Sequence, residues 1–167
     1  MRKFIRVRAM VDVGAQIKYI RETYDVTQQE LGEYLNLSKS SISHYEKNDR
    51  DIPFRKLSMI SNYFHLSIDY ILGLTSIKNY SDLKKEINLK EAGNRLKEVC
   101  KDLNYSNVKL AKELNTTESN IRKYKMGKTL ILTAFALQLN QKYDYSMDWI
   151  IGKTEKKKVK EKQKILN

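Results

Sequence analysis

"TQQELGEYLNLSKSSISHYEKN", residues 27–48, reads as two short amphipathic helices joined by a tight turn. Thr27 followed three residues later by Glu30 is a capping box, and Leu31 and Leu35 continue from it as the buried stripe of a helix. Asn36 ends that helix, because Asn tolerates the left-handed backbone better than most residues. Ser38 can cap the next helix, whose inner face is Ile42 and Tyr45 and which Asn48 stops. Where the two helices cross closely a small residue is needed, and Gly32 stands there.

The pattern extends in both directions. Ile17, Ile20 and Tyr24 mark a preceding helical face; Phe54, Leu57, Ile60 and Phe64 mark a following one; Ser67 starts a short last helix that runs through Ile71. No stretch alternates strictly between apolar and polar, so the reading is all-α, with five helices in residues 14–75.

The same unit occurs twice. An offset of 79 residues pairs Gly14 with Gly93, Leu31 with Leu110, Asn36 with Asn115, Ile42 with Ile121, Asp69 with Asp148 and Gly73 with Gly152. Without a gap, 14 of the 62 aligned positions are identical, far above chance pairing. The expected organisation is an arm at 1–13, a first domain at 14–75, a linker at 76–91, a second domain at 92–154 and a tail at 155–167. In the linker, "SDLKKEIN" can form about two helical turns, which sets a reach near ~40 Å against roughly 50 Å fully extended.

With both copies in view, the residues resemble the Cro/CI, or XRE, type of helix-turn-helix transcriptional regulator. "TQQELGEYLNLSKSSISHYEKN" followed by "LSIDYILG" carries the likeness in the first copy; "SNVKLAKELNTTESNIRKYKMGKT" and "MDWIIGKT" carry it more loosely in the second. The resemblance implies two tandem five-helix, lambda-repressor-like domains whose third helices enter the DNA major groove. Position by position, it implies that Gln28 meets phosphate while Lys39, Ser40 and His44 read bases, with Ser43 and Lys47 on the same side. In the second copy Asn107 takes the phosphate position, Glu118, Ser119 and Lys123 take the base positions, and Arg122 and Lys128 stand beside them. The 3.6-residue period agrees: with Ile42 and Tyr45 inward, residues 39, 40, 43, 44 and 47 share the outward face. The family's ion pair between helix one and helix three would be Arg21 with Glu46, and the second copy replaces both members, by Cys100 and Lys125. Cys100 is then a core filler.

Charge favours the same class of partner. The net charge of +12 points to nucleic acid ahead of a membrane surface. Residues 14–75 carry −1 and residues 92–154 carry +5, so the first copy is expected to read sequence and the second to supply much of the salt-sensitive backbone affinity. "RKFIRVR" and "KKKVKEKQK" at the two ends are either DNA-contacting arms or solvated tails.

One Cys and two His give no credible metal site, and no glycine-rich phosphate loop occurs. Asp69 and Asp148 read as first-turn acids that complement a helix dipole rather than as a catalytic pair. The expectation is a cytoplasmic, non-enzymatic protein without cofactor or membrane span, with double-stranded DNA as partner and a repressor role of phage or mobile-element type. Two alternatives stay open: pairing of two chains into a homodimer, and a protein-binding module of antitoxin or inhibitor type.

Overall fold

A computed structural model describes residues 11–159. Among them run α1 (Val13–Thr23), α2 (Gln28–Leu35), α3 (Lys39–Glu46), α4 (Phe54–Phe64) and α5 (Ile68–Ile71), then α6 (Leu89–Leu103), α7 (Asn107–Glu113), α8 (Glu118–Lys125), α9 (Thr133–Tyr143) and α10 (Met147–Ile150). The chain is all-α; the only bridge between extended residues among those described joins Tyr145 and Lys158. No helix in this range is long and apolar enough to cross a membrane. The "RKFIRVR" arm and the tail beyond residue 159 lie outside the described residues, while Asp12 and Val13 belong to the cap and first turn of α1.

Local chemistry sets the helix starts. Asp12, Thr27, Ser38, Ser67, Asn88, Ser106, Thr117 and Ser146 each accept a hydrogen bond from a main-chain N–H of the first turn they precede. The Thr27–Glu30 capping box closes in both directions. Only α4 and α9 lack a side-chain cap, and they are preceded by Pro53 and Leu132, which occupy equivalent positions at the 79-residue offset.

The turns repeat with the helices. Positive φ occurs at Asp25 and Asn104, Asn36 and Asn115, Asn48 and Gly127, His65 and Asp144, and Gly73 and Gly152; every one of these pairs is separated by 79 residues. At Asn48 and Gly127 the sequence changes and the backbone does not, so the shared frame is conformational as well as chemical. The correspondence continues past residue 75: Ser67 N donates to Lys78 O at 2.7 Å, and Ser146 N donates to Lys157 O at 2.9 Å.

Buried apolar residues of both halves, from Ile17 and Leu57 to Trp149 and Ile151, form one contiguous cluster. The seam runs between α5 and α10, and it is reciprocal. Asp148 accepts from the main-chain N–H of Ile68 and Asp69 at 3.1 and 3.0 Å, while Asp69 accepts from Met147 N at 2.7 Å and from the Ser146 hydroxyl. Each carboxyl group thus caps the helix of the opposite half, where its oxygens meet N–H groups that the first turn leaves unpaired. The first-turn placement expected for these acids is present, but the turn they serve is the partner's, not their own. Tyr80 O–H donates a further bond to Asp69 at 2.8 Å. Burial pushes both carboxyls above their ordinary range, and Asp148, fully buried beside Asp69, is pushed well above it.

Further contacts fix the halves together. Lys153 reaches from the end of α10 into α4, donating to Ser58 Oγ, Ser61 Oγ and Asn62 Oδ1 at 3.0 to 3.2 Å. Thr133 Oγ1 donates to Ile52 O at 2.7 Å. Residues 81–88 are turns and bends rather than the helical turns their composition allowed. The reason is capture: Asp82 accepts from Thr154 Oγ1 and Glu155 N, both at 2.7 Å, and Lys84 N donates to Lys153 O at 2.8 Å. Those bonds take an irregular backbone that a helix could not present, so the connection is a strap and not a free tether.

Candidate nucleic-acid interface

The geometry of α2 and α3 follows from a few close approaches. Asn36 turns the chain between them at φ 57°, and a Cβ on Gly32 would come within 2.8 Å of Leu37 O. Gly14 is tighter still: a Cβ there would lie 2.5 Å from Tyr45 O and 2.6 Å from Glu46 O, so α1 presses directly on the end of α3. Asn48 closes this contact, accepting from Gly14 N at 2.9 Å and donating to Asp12 Oδ1 at 2.7 Å. Gly93 repeats the approach on α8, with its added Cβ 2.6 Å from Lys125 O. The sequence comparison paired Gly14 with Gly93; their identity across otherwise variable positions was the available signal for this contact.

Packing decides which side of α3 faces outward. Ile42 and Glu46 are buried, and Arg21 holds Glu46 from α1 through Nε and Nη2 while giving Nη1 to Val26 O at 2.7 Å. Lys39, Ser40 and Lys47 are exposed, and Ser43 and His44 are half-buried on the same outward side. His44 Nδ1 lies 3.2 Å from Asp49 Oδ2, so the acid in the loop after α3 engages one ring nitrogen. Gln28 donates its amide to Glu46 Oε2 at 2.8 Å. The Gln28 side chain, expected at a phosphate, is thus engaged by the ion pair.

In the second half Ile121 and Tyr124 are buried, leaving Ser119, Arg122, Lys123 and Lys128 exposed. Glu118 Oε1 accepts from Arg122 Nη2 at 2.6 Å and from Nε at 3.2 Å, one turn along the same helix. This exposed pair contributes little stability, but it places a cation next to the acid that stands opposite Lys39 in the alignment. Lys125 donates to Asn107 Oδ1 at 2.6 Å. Residues 107 and 125 align with 28 and 46, so the amide-to-helix bond persists with its direction reversed: Gln28 donates to a carboxylate, whereas Asn107 accepts from an ammonium. Cys100, at the place of Arg21, is 6% exposed and packs in the core.

What remains outward along α3 and α8 is mostly polar and cationic, with Glu118 paired to Arg122. Residues 17–71 match the Helix-turn-helix family. Among curated relatives, the chain is 36% identical over 81 residues to the HTH-type transcriptional regulator ImmR of Bacillus subtilis, covering 47% of this chain and 64% of that one. It is 33% identical over 76 residues to the uncharacterized HTH-type transcriptional regulator YobD of the same organism, covering 46% and 66%. It is also 33% identical over 89 residues to Antitoxin PezA of Streptococcus pneumoniae, covering 50% and 56%. The matches thus span between about half and two thirds of the length of these relatives. No solved structure matches significantly. Residues 17–71 are thus a helix-turn-helix domain.

Proposed function

We propose that this chain is a sequence-specific DNA-binding transcriptional regulator, a binding protein and not an enzyme, that acts in the cytoplasm as a repressor of phage or mobile-element type. The observation that carries the reading is the outward face of α3, where Lys39, Ser40 and Lys47 are exposed and Ser43 and His44 half-buried beside them, within the family-matched domain. Two relatives named as transcriptional regulators support it. On this reading the two halves are equivalent helix-turn-helix units, α3 and α8 each take a major groove, and the seam at Asp69 and Asp148 does the work that pairing of two chains does elsewhere. Because the outward residues of α3 and α8 differ, the target is asymmetric.

The first half reads bases, and the second adds phosphate attraction through Lys123, Lys128 and Arg122. Lys39→Ala with His44→Ala is expected to abolish discrimination between a selected duplex and random duplex. Lys123→Ala is expected to weaken both and lower the salt slope by about one unit. A double variant that discriminates as the parent does refutes the assignment of α3.

A second reading is favoured by one feature of the second half. Val108 and Met126, beside α8, are 60% and 64% exposed, and one relative is named as an antitoxin. In that reading the α8 face grips a protein while α3 binds DNA. Loss of DNA binding by Lys39→Ala with His44→Ala, and none by Lys123→Ala with Arg122→Ala, is the outcome that favours it.

A further inference from the structure

On α8 an acid and a cation occupy the positions that α3 gives to Lys39 and Ser43. Glu118 and Arg122 align with those two residues at the 79-residue offset, and their side chains are 38% and 64% exposed. Glu118 Oε1 accepts from both Nε and Nη2 of Arg122, at 3.2 and 2.6 Å. Glu118 Oε2 and Arg122 Nη1 have no partner among the described residues. The dipole of α8 accounts for an acid in its first turn, but not for the arginine placed one turn later to meet it.

That geometry fixes what the guanidinium can still do. Its N–H groups lie in one rigid plane; the edge at Nε and Nη2 goes to Glu118, and the parallel donors on Nη1 and Nη2 stay open. Two parallel donors fit guanine O6 and N7, and they fit two phosphate oxygens equally well. The acid decides between them. Its charge cancels that of Arg122, so the pair gains little from the phosphate field, and a phosphate on the open edge would stand close to a carboxylate of the same sign. A base edge carries no net charge and meets no such repulsion. Lys123 and Lys128, exposed and without an acid partner among the described residues, are better placed to serve phosphates.

We infer that Arg122 specifies a guanine in the part of the DNA site that α8 covers, and that Glu118 is the positioning residue that holds its open edge toward that base. An arginine ordered before binding loses less side-chain freedom on contact. The second half then selects sequence as well as supplying phosphate attraction, the latter through Lys123 and Lys128. This inference rests on the DNA-binding reading above.

The experiment selects duplexes from a random library with the full chain, then measures affinities of the parent and of Arg122→Ala, Glu118→Ala and Glu118→Gln. The α8 block is the one whose base preferences Lys39→Ala leaves unchanged. The parent is expected to enrich a guanine at one position of that block and to discriminate against adenine there by about tenfold or more. Arg122→Ala is expected to bring that ratio to about one with the salt slope unchanged, whereas a lost phosphate contact would lower the slope by about one unit. Glu118→Ala is expected to lower the ratio about threefold or more, the cost of ordering one arginine on contact, while binding to random duplex tightens. Glu118→Gln, which keeps an oxygen for Nε and Nη2, is expected to recover part of it; a merely structural role would weaken binding to all duplexes alike. Arg122→Ala with the ratio intact, or with the slope lowered by about one unit, overturns the inference and leaves the DNA-binding reading standing. So does an α8 block without a guanine at any position sensitive to Arg122. A parent that enriches nothing removes the DNA-binding reading and this inference with it.

Discussion

Transplanting the second half's solution into the first tests whether residues 21, 28 and 46 form the unit that residues 100, 107 and 125 form. In the parent, Arg21 and Glu46 are 9% and 3% exposed at their side chains and share two bonds, with a third from Gln28 to Glu46. Arg21→Cys alone leaves Glu46 buried with only the Gln28 amide, a change expected to cost about 3 to 5 kcal/mol. Glu46→Lys alone sets two cations against each other in the same place and is expected to cost about as much. In the double variant the repulsion between two cations is gone, and Gln28 can turn its amide to offer oxygen to Lys at position 46, as Asn107 offers oxygen to Lys125. The ammonium still lacks a counter-ion, so the double variant remains less stable than the parent while costing less than the two single changes added together. Urea unfolding of the three variants under reducing conditions, followed by helical circular dichroism, reads the differences. The double variant is expected to be more stable than either single one. A double variant whose destabilisation equals the sum of the singles, about 6 to 10 kcal/mol, refutes the equivalence.

Two further outcomes follow from the seam and from the close helix approach. Burial holds the Asp148 carboxyl well above its ordinary range, so the folded chain binds that proton more tightly than the unfolded chain does. The resulting stability is complete below about pH 4, the unfolded value, and is lost as pH rises through the folded one. Asp148→Asn is expected to remove this part of the pH dependence, measured as the difference between parent and variant urea midpoints from pH 4 to 8; parallel curves contradict it. Gly93→Ala forces a Cβ to within 2.6 Å of Lys125 O and 2.9 Å of Tyr124 O, and is expected to cost about 1–3 kcal/mol, read as a lowered thermal midpoint, with an unchanged midpoint as the refuting result.

The helix-turn-helix frame was legible because its determinants are local. Thr27 with Glu30, Asn36, Ser38, Ser67 and the Leu31, Leu35 and Ile42 stripe each act within a few residues of themselves, and each has the partner its spacing implied. The outward set on α3 was legible for the same reason, since burial of Ile42 fixes its opposite face. The seam was not. Asp69 and Asp148 look like any first-turn acids, and nothing in their own segments announces that the N–H groups they meet belong to the helix 79 residues away. The strap was hidden similarly: the charged run at 81–88 suits a helix by composition, and only the capture of Asp82 and Lys84 by residues 153–155 decides against it. Gln28 lay between these cases, because its aligned change to Asn107 alongside Glu46 to Lys125 carried the coupling in the sequence, read there as the loss of an ion pair and not as the exchange of a bond.

The central claim is that one chain holds two recognition helices at a fixed relation. Selecting bound duplexes from a random library with the full chain, then measuring affinity as base pairs are inserted between the enriched blocks, tests it most directly. The expected result is an asymmetric site with two blocks at one preferred spacing of about one helical turn, with affinity falling at least about tenfold when roughly half a turn is inserted. Equal affinity at every spacing, or enrichment of a single block, contradicts it.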